Sequence, residues 1–253
     1  MTGQEAHTAP HGPRPAAGGG AVPIRGLSSM ATRQILAELA DEFGRSHDGI
    51  ALHFESAGGV AVARQVREGA EADVLVLADD AMAALAGEGL LATGTVRPLW
   101  TSPVVAAVPS GAPVPPFATE SDLPAALLGA ARIAYSTGPS GTALLELIDR
   151  LGLADALRDR LVQAPPGVPA GSLLSAGEAD LALQQHSELM DLPGVFVIGP
   201  LPGDTAIEST FTGGVLTSSA HPQLAREVLD FLASDAALKV AGTRGMSAAK
   251  AED

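Results

Sequence analysis

The chain has 253 residues, a formal net charge of −14, 46% hydrophobic residues and no cysteine. This length fits one large domain or two smaller lobes with a sizeable core. The acidic balance argues against nucleic acid as a partner, because nucleic-acid binding needs a basic surface. The lack of cysteine excludes disulfides, zinc–thiolate sites and thiol catalysis.

The first 22 residues are Gly, Pro, Ala and polar residues without an apolar run, so residues 1–22 are predicted to be a disordered tail. The chain lacks the anatomy of a signal peptide, and no segment has the ~18 apolar residues of a membrane helix. We therefore expect a cytoplasmic protein, or a periplasmic or extracellular one only if a leader has been removed. His7 and His11 lie in this tail, and we expect no metal site and no cofactor.

The first ordered unit is predicted to be a strand, a tight turn and a helix. An apolar strand, Val22–Leu27, leads into Ser28 and Ser29, and a helical pattern with Arg33 in its first turn follows. Either serine is a natural helix N-cap. The same turn would also suit an anion, because a helix N-terminus offers unpaired N–H groups and the positive end of the dipole. A plain capped helix and an anion site both fit this stretch.

The next two units repeat this order. A strand over Ile50–Glu55 is followed by Ser56, Ala57 and Gly58 and then by an amphipathic helix that starts at Val60. A nearly continuous apolar strand, 72–78, then leads into a helix capped by aspartates, as expected for a buried parallel strand. Alternating strands and helices predict an α/β sheet with right-handed crossovers.

A second focal turn lies in the middle of the chain. Strands are predicted over 99–108 and 132–135, and Tyr135, Ser136 and Ser140 lie in the turn before a helix over 144–151. The remaining predicted elements are helices over 154–161 and 171–177, strands over 179–183 and 195–198, an extended segment over 207–218 and a final helix over 223–232. The strand over 179–183 leads into the polar run that contains Gln185, His186 and Glu188.

The turns resemble those of the bacterial molybdate-binding proteins. The resemblance covers about residues 24–245 and rests on Ser28-Ser29, Ser56-Ala57-Gly58, the strand over 72–78 and Gly177-Glu178-Ala179-Asp180. It implies the α/β, two-lobed type II periplasmic-binding-protein fold, with a mostly parallel sheet in each lobe and a ligand cleft between them. It further implies that residues 23–102 and 208–253 form lobe I and residues 103–207 form lobe II.

The chain also departs from the molybdate binders. Their second-lobe strand ends in a Tyr that contacts the oxyanion, whereas this position resembles Gln185 here, and Arg33 is foreign to that pattern. A guanidinium fork suits a planar carboxylate. The turns at 28–33 and 135–141 resemble those of the aconitate isomerase branch, which shifts a double bond in an unsaturated tricarboxylic acid. This branch implies a small anionic ligand, a carboxylate, bound by Ser28, Ser29, Arg33, Ser56, Ala57, Gly58, Ser136, Ser140 and Gln185.

An isomerase of this kind needs a group that removes and returns a proton. His186 and Glu188 follow a strand end, where α/β sheets place ligands, and Tyr135 is the only tyrosine. Each has an ordinary alternative: a surface imidazole, a carboxylate in a first helical turn and a packed ring, respectively. The Gly138–Gly141 turn does not match the nucleophile elbow of hydrolases, and neither HExxH nor a Walker loop is present.

Two functions fit these residues. The first is a cytoplasmic isomerase of a small unsaturated carboxylic acid with catalytic residues His186, Glu188 and Tyr135. The alternative is a non-catalytic substrate-binding protein for molybdate or another small anion, with an ABC permease as its partner. Fold analogy alone does not choose between them.

Overall fold

The computed structural model describes residues 21–249 and forms two α/β lobes. The predicted tail lies outside these residues except for Ala21 and Val22, as do His7 and His11. The strands in this range are β1 (Val22–Ser29), β2 (Ile50–Ala57), β3 (Val74–Ala78), β4 (Arg97–Pro109), β5 (Ile133–Tyr135), β6 (Leu161–Gln163), β7 (Leu181–Gln185), β8 (Val195–Pro200), β9 (Glu208–Val215) and β10 (Ser247–Ala248).

Helices alternate with most of these strands, as the sequence pattern predicts. They are α1 (Arg33–Ser46), α2 (Gly59–Arg67), α3 (Asp79–Gly87), α4 (Asp122–Gly129), α5 (Pro139–Arg150), α6 (Ala154–Leu157), α7 (Gly171–Ser175), α8 (His186–Leu189), α9 (Pro222–Leu232) and α10 (Asp235–Thr243). Short 3₁₀ turns cover Met30–Thr32, Arg158–Arg160 and Gly203–Thr205.

Strand pairing divides the sheet into the two lobes. In lobe I the order is β2-β1-β3-β9, where β1 is parallel to β2 and β3 while β9 is antiparallel to β3. In lobe II, β5 lies between β6 and β7 and is parallel to both. Strand β4 joins them: it pairs with β9 as far as Pro103 and with β7 from Val104 onward. One long strand therefore serves both sheets, and β9 lies beside it at the crossing.

Each lobe has a hydrophobic cluster on both faces of its sheet, because successive side chains of a strand point to opposite faces. In β3, Val74 and Val76 pack into the cluster formed with α1, α9 and α10, whereas Leu75 and Leu77 pack into the opposite cluster with α2 and α3. This explains the continuous apolar run, since a strand covered by helices on both faces is buried at every position. Lobe II has the same design, because alternate residues of β4 enter two separate clusters.

Several local predictions are wrong. Ser28 and Ser29 do not cap α1 through their side chains: β1 runs to Ser29, a 3₁₀ turn follows, and Ser28 bonds to the next strand instead. The helix predicted over 154–161 ends at Leu157, and Leu161 begins β6, because pairing with β5 prevails over helical periodicity. The strand predicted over 179–183 is displaced to Leu181–Gln185. Helix α10 and strand β10 were not predicted.

Candidate functional site

The polar turns singled out in the sequence lie at the carboxyl ends of parallel strands. In lobe I, β1 and β2 are in register, so Ser28 lies opposite Ser56 and Ser29 lies opposite Ala57. In lobe II, Tyr135 of β5 lies beside Leu183 of β7, so the turns after these two strands share one edge. Carboxyl ends of parallel strands are where open α/β sheets bind ligands.

Serine hydroxyls form one pair in each lobe. Ser28 Oγ lies 2.7 Å from Ser56 Oγ, and Ser136 Oγ lies 2.9 Å from Ser140 Oγ. A hydroxyl has one proton to donate, so each pair uses one donor internally and keeps the other. Each lobe thus retains a hydroxyl donor that could serve an anionic ligand.

A cleft of about 500 Å³ lies between the lobes. Val60 and Ala78 line it from lobe I, Gly138 and Pro139 line it from lobe II, and Ser209 of β9 lies at its base. The cleft therefore meets the beginnings of α2 and α5, two of the three helix starts that the sequence indicated. Val60 was predicted on the apolar face of α2, but it is 76% exposed because it points into this cleft rather than the core.

The cleft also carries acidic side chains. Asp79, Asp80 and Glu146 are among its lining residues, and Asp79 accepts a hydrogen bond from Thr212 Oγ1 at 2.8 Å. These carboxylates repel an anion at the rim. An anionic ligand in this cleft would therefore depend on backbone donors and on hydroxyl groups such as those of Thr137 and Ser209, because Arg33 is not among the lining residues.

Gln185 connects the end of β7 to the crossing strands. Its side chain is buried, and Nε2 donates to Ser209 Oγ at 3.1 Å. Ser102, on the adjacent β4, is opposite Ser209 in the strand register, and its buried Oγ has no hydrogen-bond partner among residues 21–249. The crossing thus holds an unsatisfied hydroxyl close to the base of the cleft.

Among the acidic residues of the site, Glu188 has the most strongly shifted pKa. It lies in the single-turn helix α8, which contacts the 3₁₀ turn before α1, and it is partly buried. Burial raises the pKa of Glu188 from 4.5 to about 7, although a hydrogen bond with Gln184 and the charge of Arg33 both lower it. Helix α8 of lobe II thus contacts the turn directly before Arg33 of lobe I, and the charge of Arg33 acts on Glu188 without an ion pair between them in the described residues.

His186 faces the C-terminal segment rather than Glu188. A Cβ on Gly245 would lie 2.4 Å from His186 Nδ1, and Gly245 has a φ of +71°, so glycine fits this position on both counts. Burial lowers the pKa of His186, while the charge of Asp191 and a backbone hydrogen bond with Gly245 oppose this. The imidazole is held as a contact between the lobes.

Further buried hydroxyl and amide oxygens near α8 and α1 have no partner within the described part of the chain. They are Ser29 Oγ, Ser187 Oγ and Gln34 Oε1. Buried polar atoms are usually paired, and an unpaired one calls for an explanation such as a ligand. Gln34 follows Arg33 and Ser187 precedes Glu188 in the sequence, and Ser29 ends β1 just before the turn that α8 contacts.

The predicted site residues thus fall into separate groups. Ser28 and Ser56 pair with each other, Ser136 pairs with Ser140, Ala57 and Gly58 precede α2, and Arg33 follows the turn that α8 contacts. Tyr135 packs against the lobe II core, as in its ordinary alternative. Sequence reasoning did not single out Gln184 as a site residue. Two glutamines at the end of an otherwise apolar strand were the available signal.

Within residues 21–249, no helix is long and apolar enough to cross a membrane. In the same range, no group of three or more His, Asp or Glu side chains is placed to hold a metal ion.

The sequence of this chain is similar to a known protein family and to two individual proteins. The profile of a family described as bacterial extracellular solute-binding proteins matches residues 24–247. An aconitate isomerase from a Pseudomonas species is 29% identical over 193 residues, which cover 76% of this chain and 73% of the relative. A putative ABC transporter substrate-binding lipoprotein of Bacillus subtilis is 24% identical over 226 residues, or 88% of this chain and 85% of that protein.

Solved structures give the same fold. The periplasmic molybdate-binding protein of Azotobacter vinelandii superimposes with a TM-score of 0.76 at 20% identity, covering 90% of this chain and 100% of that one. The substrate-binding domain of a putative molybdenum ABC transporter from Clostridium difficile gives a TM-score of 0.73 at 20% identity, covering 91% and 100%. The two-lobed fold and the resemblance drawn from the turns are thereby confirmed.

Proposed function

The chain belongs to the family of bacterial extracellular solute-binding proteins, and from that premise we propose that it isomerises a small unsaturated carboxylic acid between its lobes. The similarity to the Pseudomonas aconitate isomerase supports this activity. The cytoplasmic location expected from the sequence belongs to the same proposal.

The observation that carries the proposal is the partly buried Glu188 in α8, a helix that contacts the turn directly before Arg33. A general base works best when its pKa is near the operating pH, and burial brings the pKa of Glu188 to about 7. Arg33 is exposed, and no hydrogen bond within the described part of the chain occupies its guanidinium. It is therefore available to bind a substrate carboxylate in two-pronged geometry.

The proposed reaction is an allylic proton shift. The Glu188 carboxylate takes a proton from the methylene carbon next to the double bond, and the C–H electron pair forms the new double bond. The electrons of the old double bond move to its far carbon, which then receives the proton from Glu188. The guanidinium of Arg33 and the free serine hydroxyls stabilise the negative charge that develops on the carboxylates.

Binding without catalysis is the second candidate, and two observations favour it. The lipoprotein relative covers more of this chain than the isomerase does. The paired serines also leave one hydroxyl donor in each lobe, which suits a small tetrahedral anion. In that case the partner would be an ABC permease.

Two measurements separate the candidates. Solvent deuterium is followed into cis- and trans-aconitate and other unsaturated acids, and the same acids, citrate, molybdate, sulfate and phosphate are compared in a thermal-shift panel. The proposal expects deuterium exchange with an acid that also stabilises the protein, by about 2.7 kcal/mol at 100 times its Kd. Stabilisation by molybdate with no exchange from any acid would contradict it and support the binding protein.

A further inference from the structure

Two serine side chains face each other where β4 and β9 cross between the lobes. Ser102 is opposite Ser209 in the antiparallel register, and side chains opposite each other in such a pair lie on one face with Cβ atoms about 4.5–5.5 Å apart. Gln185 is opposite Val104, which lies two residues after Ser102 on β4, and its amide bonds to Ser209. Ser102, Ser209 and Gln185 therefore share one face of the sheet, and Ser209 lines the cleft.

Ser209 has a hydroxyl proton that its contact with Gln185 does not use. Gln185 Nε2 donates to Ser209 Oγ at 3.1 Å, and an amide nitrogen can only donate. The contact therefore occupies one of the two lone pairs of Ser209 Oγ and leaves the second lone pair and the proton. Because Ser209 is partly exposed and lines the cleft, a ligand in the cleft can accept this proton.

The hydroxyl group of Ser102 contributes no hydrogen bond to the described fold. Ser102 is 0% exposed, and its Oγ has no partner among residues 21–249. A buried hydroxyl without a partner is destabilising and calls for an explanation. Thr101, on the opposite face of β4, is satisfied by contrast, since its Oγ1 lies 2.8 Å from Ser247 Oγ. The unsatisfied hydroxyl is thus on the face that carries Ser209.

The other side chains of the cleft restrict the ligand group that Ser209 can bind. Asp79, Asp80, Glu146 and Glu208 line the cleft, whereas no Lys, Arg or His of residues 21–249 does. An anionic oxygen in the cleft therefore depends on hydroxyl and backbone donors instead of a cation. Ser209 offers such a donor at the crossing, and one hydroxyl suits one carboxylate or oxyanion oxygen.

We propose that Ser209 binds one anionic oxygen of the ligand at the floor of the cleft and that Ser102 is a positioning residue for Ser209. When the ligand accepts the Ser209 proton, the second lone pair of Ser209 Oγ is free to accept a hydrogen bond from Ser102 after a side-chain rotation. Donation from Gln185 and Ser102 into the same oxygen polarises the Ser209 hydroxyl and strengthens its bond to the ligand. That this oxygen belongs to a carboxylate rests on the proposed function, whereas the contact itself needs no turnover.

The test is a calorimetric titration of the full chain with cis-aconitate, trans-aconitate, citrate, molybdate and sulfate, which separates carboxylates from inorganic oxyanions. Ser209→Ala should raise the Kd of the anion that binds the wild type by roughly 10- to 100-fold, as for a lost hydrogen bond to a charged group. Ser209→Thr keeps a hydroxyl and should restore most of the affinity.

Ser102→Ala should raise the same Kd by about 2- to 10-fold, as for a lost hydrogen bond between neutral groups. The Tm of the ligand-free variant should not fall, because the Ser102 hydroxyl makes no hydrogen bond within the described part of the chain. A hydroxyl with a merely structural role would give the reverse result. Should Ser102→Ala not fold, Ser102→Cys takes its place, since a thiol is only a weak donor.

Thr101→Val is the matched control, because it deletes a buried hydroxyl at the next position of β4 on the opposite face. It should lower the Tm, since the contact with Ser247 is lost, and leave the Kd unchanged. A Kd that rises equally in Thr101→Val and the serine variants would overturn the proposal, because the crossing strands would then act only as a hinge.

The remaining outcomes also decide the question. Binding of none of the five anions overturns the proposal, as does an unchanged Kd in either Ser209→Ala or the Ser102 variant. Turnover is scored separately through deuterium exchange by the wild type. Absence of exchange together with the expected Kd changes refutes the isomerase and supports the Ser209 contact, whereas exchange with unchanged Kd values supports the isomerase and overturns the contact.

Discussion

Lobe I lines its strand ends with hydroxyl groups, small residues and one guanidinium, whereas lobe II continues β7 into a short helix with an imidazole and a buried acid. The Ser28–Ser56 pair consists of two hydrogen-bonded hydroxyl groups, which do not titrate between pH 5 and 8. Glu188 and His186 both have pKa values displaced by burial, in opposite directions. The lobes thus differ in what they can do, although both use the same strand-to-helix turns.

The two lobes are therefore suited to different tasks, lobe I to ligand binding and lobe II to proton transfer. Hydroxyl pairs and helix starts can hold an anion but cannot move a proton away from carbon. Lobe II contains Glu188, whose pKa burial raises to about 7, and His186, whose pKa burial lowers, and α8 contacts the turn before Arg33 of lobe I. If the protein only binds, lobe II substitutions should affect affinity alone; if it isomerises, they should affect turnover first.

The largest expected effect is on turnover. Glu188→Gln should lower the rate of deuterium exchange by roughly 10²–10⁴-fold, the usual contribution of a general acid–base group. Substrate affinity should change little, because glutamine keeps the shape and an acceptor oxygen. Glu178→Gln, at an exposed position before β7, is the control and should retain the wild-type rate. Exchange that survives in Glu188→Gln would move the base elsewhere, with His186 and Tyr135 as the remaining candidates.

The second-largest expected effect is on the pH dependence of stability, which can be measured without a substrate. The folded pKa of Glu188 is raised from 4.5 to about 7, so its contribution to stability is complete below pH 4.5 and is lost as the pH rises through 7. At 1.36 kcal/mol per pH unit this amounts to at most about 3 kcal/mol.

Urea unfolding of wild type and Glu188→Gln between pH 4.5 and 8 measures this loss. The variant should become more stable relative to the wild type as the pH rises. The pKa of His186 is lowered, so its contribution to the free energy of unfolding is lost as the pH falls. This loss is the same in both proteins and cancels when their free energies of unfolding are subtracted. A difference that is flat across this range would show that Glu188 ionises as an ordinary exposed acid.

The third effect concerns the cation of lobe I. Arg33→Ala should weaken binding of a multi-carboxylate by about 1.5–3 kcal/mol, as for a hydrogen bond to a charged group. Arg33→Lys should recover only part of this, since a point charge lacks the two-pronged fork. Arg45→Ala, at the other end of α1, is the control in the same calorimetric titration. Equal affinity in Arg33→Ala and Arg45→Ala would mean that the ligand does not contact Arg33.

Much of the fold followed from the sequence because its signals are local. The apolar run of β3 predicted a buried strand, and the turns at Ser28, Ser56 and Ser136 predicted the strand ends. The C-terminal part was missed: α10 has Ser234 as an N-cap, with a 3.2 Å bond from the Ala237 N–H, but it is short and weakly patterned.

The site could be predicted only in part, because residues that lie close together in it are far apart in the sequence. Nothing in the order of residues places Arg33 near Glu188 or Gly245 against His186. The raised pKa of Glu188 depends on burial between α8 and the turn before α1, which exists only after both lobes have folded. Residue type and position at a strand end identified candidates, and packing decides their chemistry.

The smallest expected effect tests how the lobes are joined. Arg244 follows α10, which packs on α1, and its guanidinium contacts a carboxylate from each lobe. It lies 3.0 Å from Glu38 of α1 and 2.8 Å from Asp191, which follows α8. Partly exposed ion pairs contribute roughly 0.2–1 kcal/mol each, so Arg244→Gln should lower the free energy of unfolding by about 1 kcal/mol. Arg226→Gln, at an exposed position of α9, is the control.

Double-mutant cycles with Glu38→Gln and Asp191→Asn then compare the pair within lobe I with the pair between lobes. Both coupling energies should be measurable at low salt and fall as salt screens the charges. If the lobes stay together without ligand, the Asp191 coupling should equal the Glu38 coupling. If they separate, only the Asp191 coupling should vanish and then return when the cleft is saturated. An Asp191 coupling that is absent with and without ligand would contradict the bridge, and His186 against Gly245 would then be the remaining contact of the C-terminal segment with lobe II.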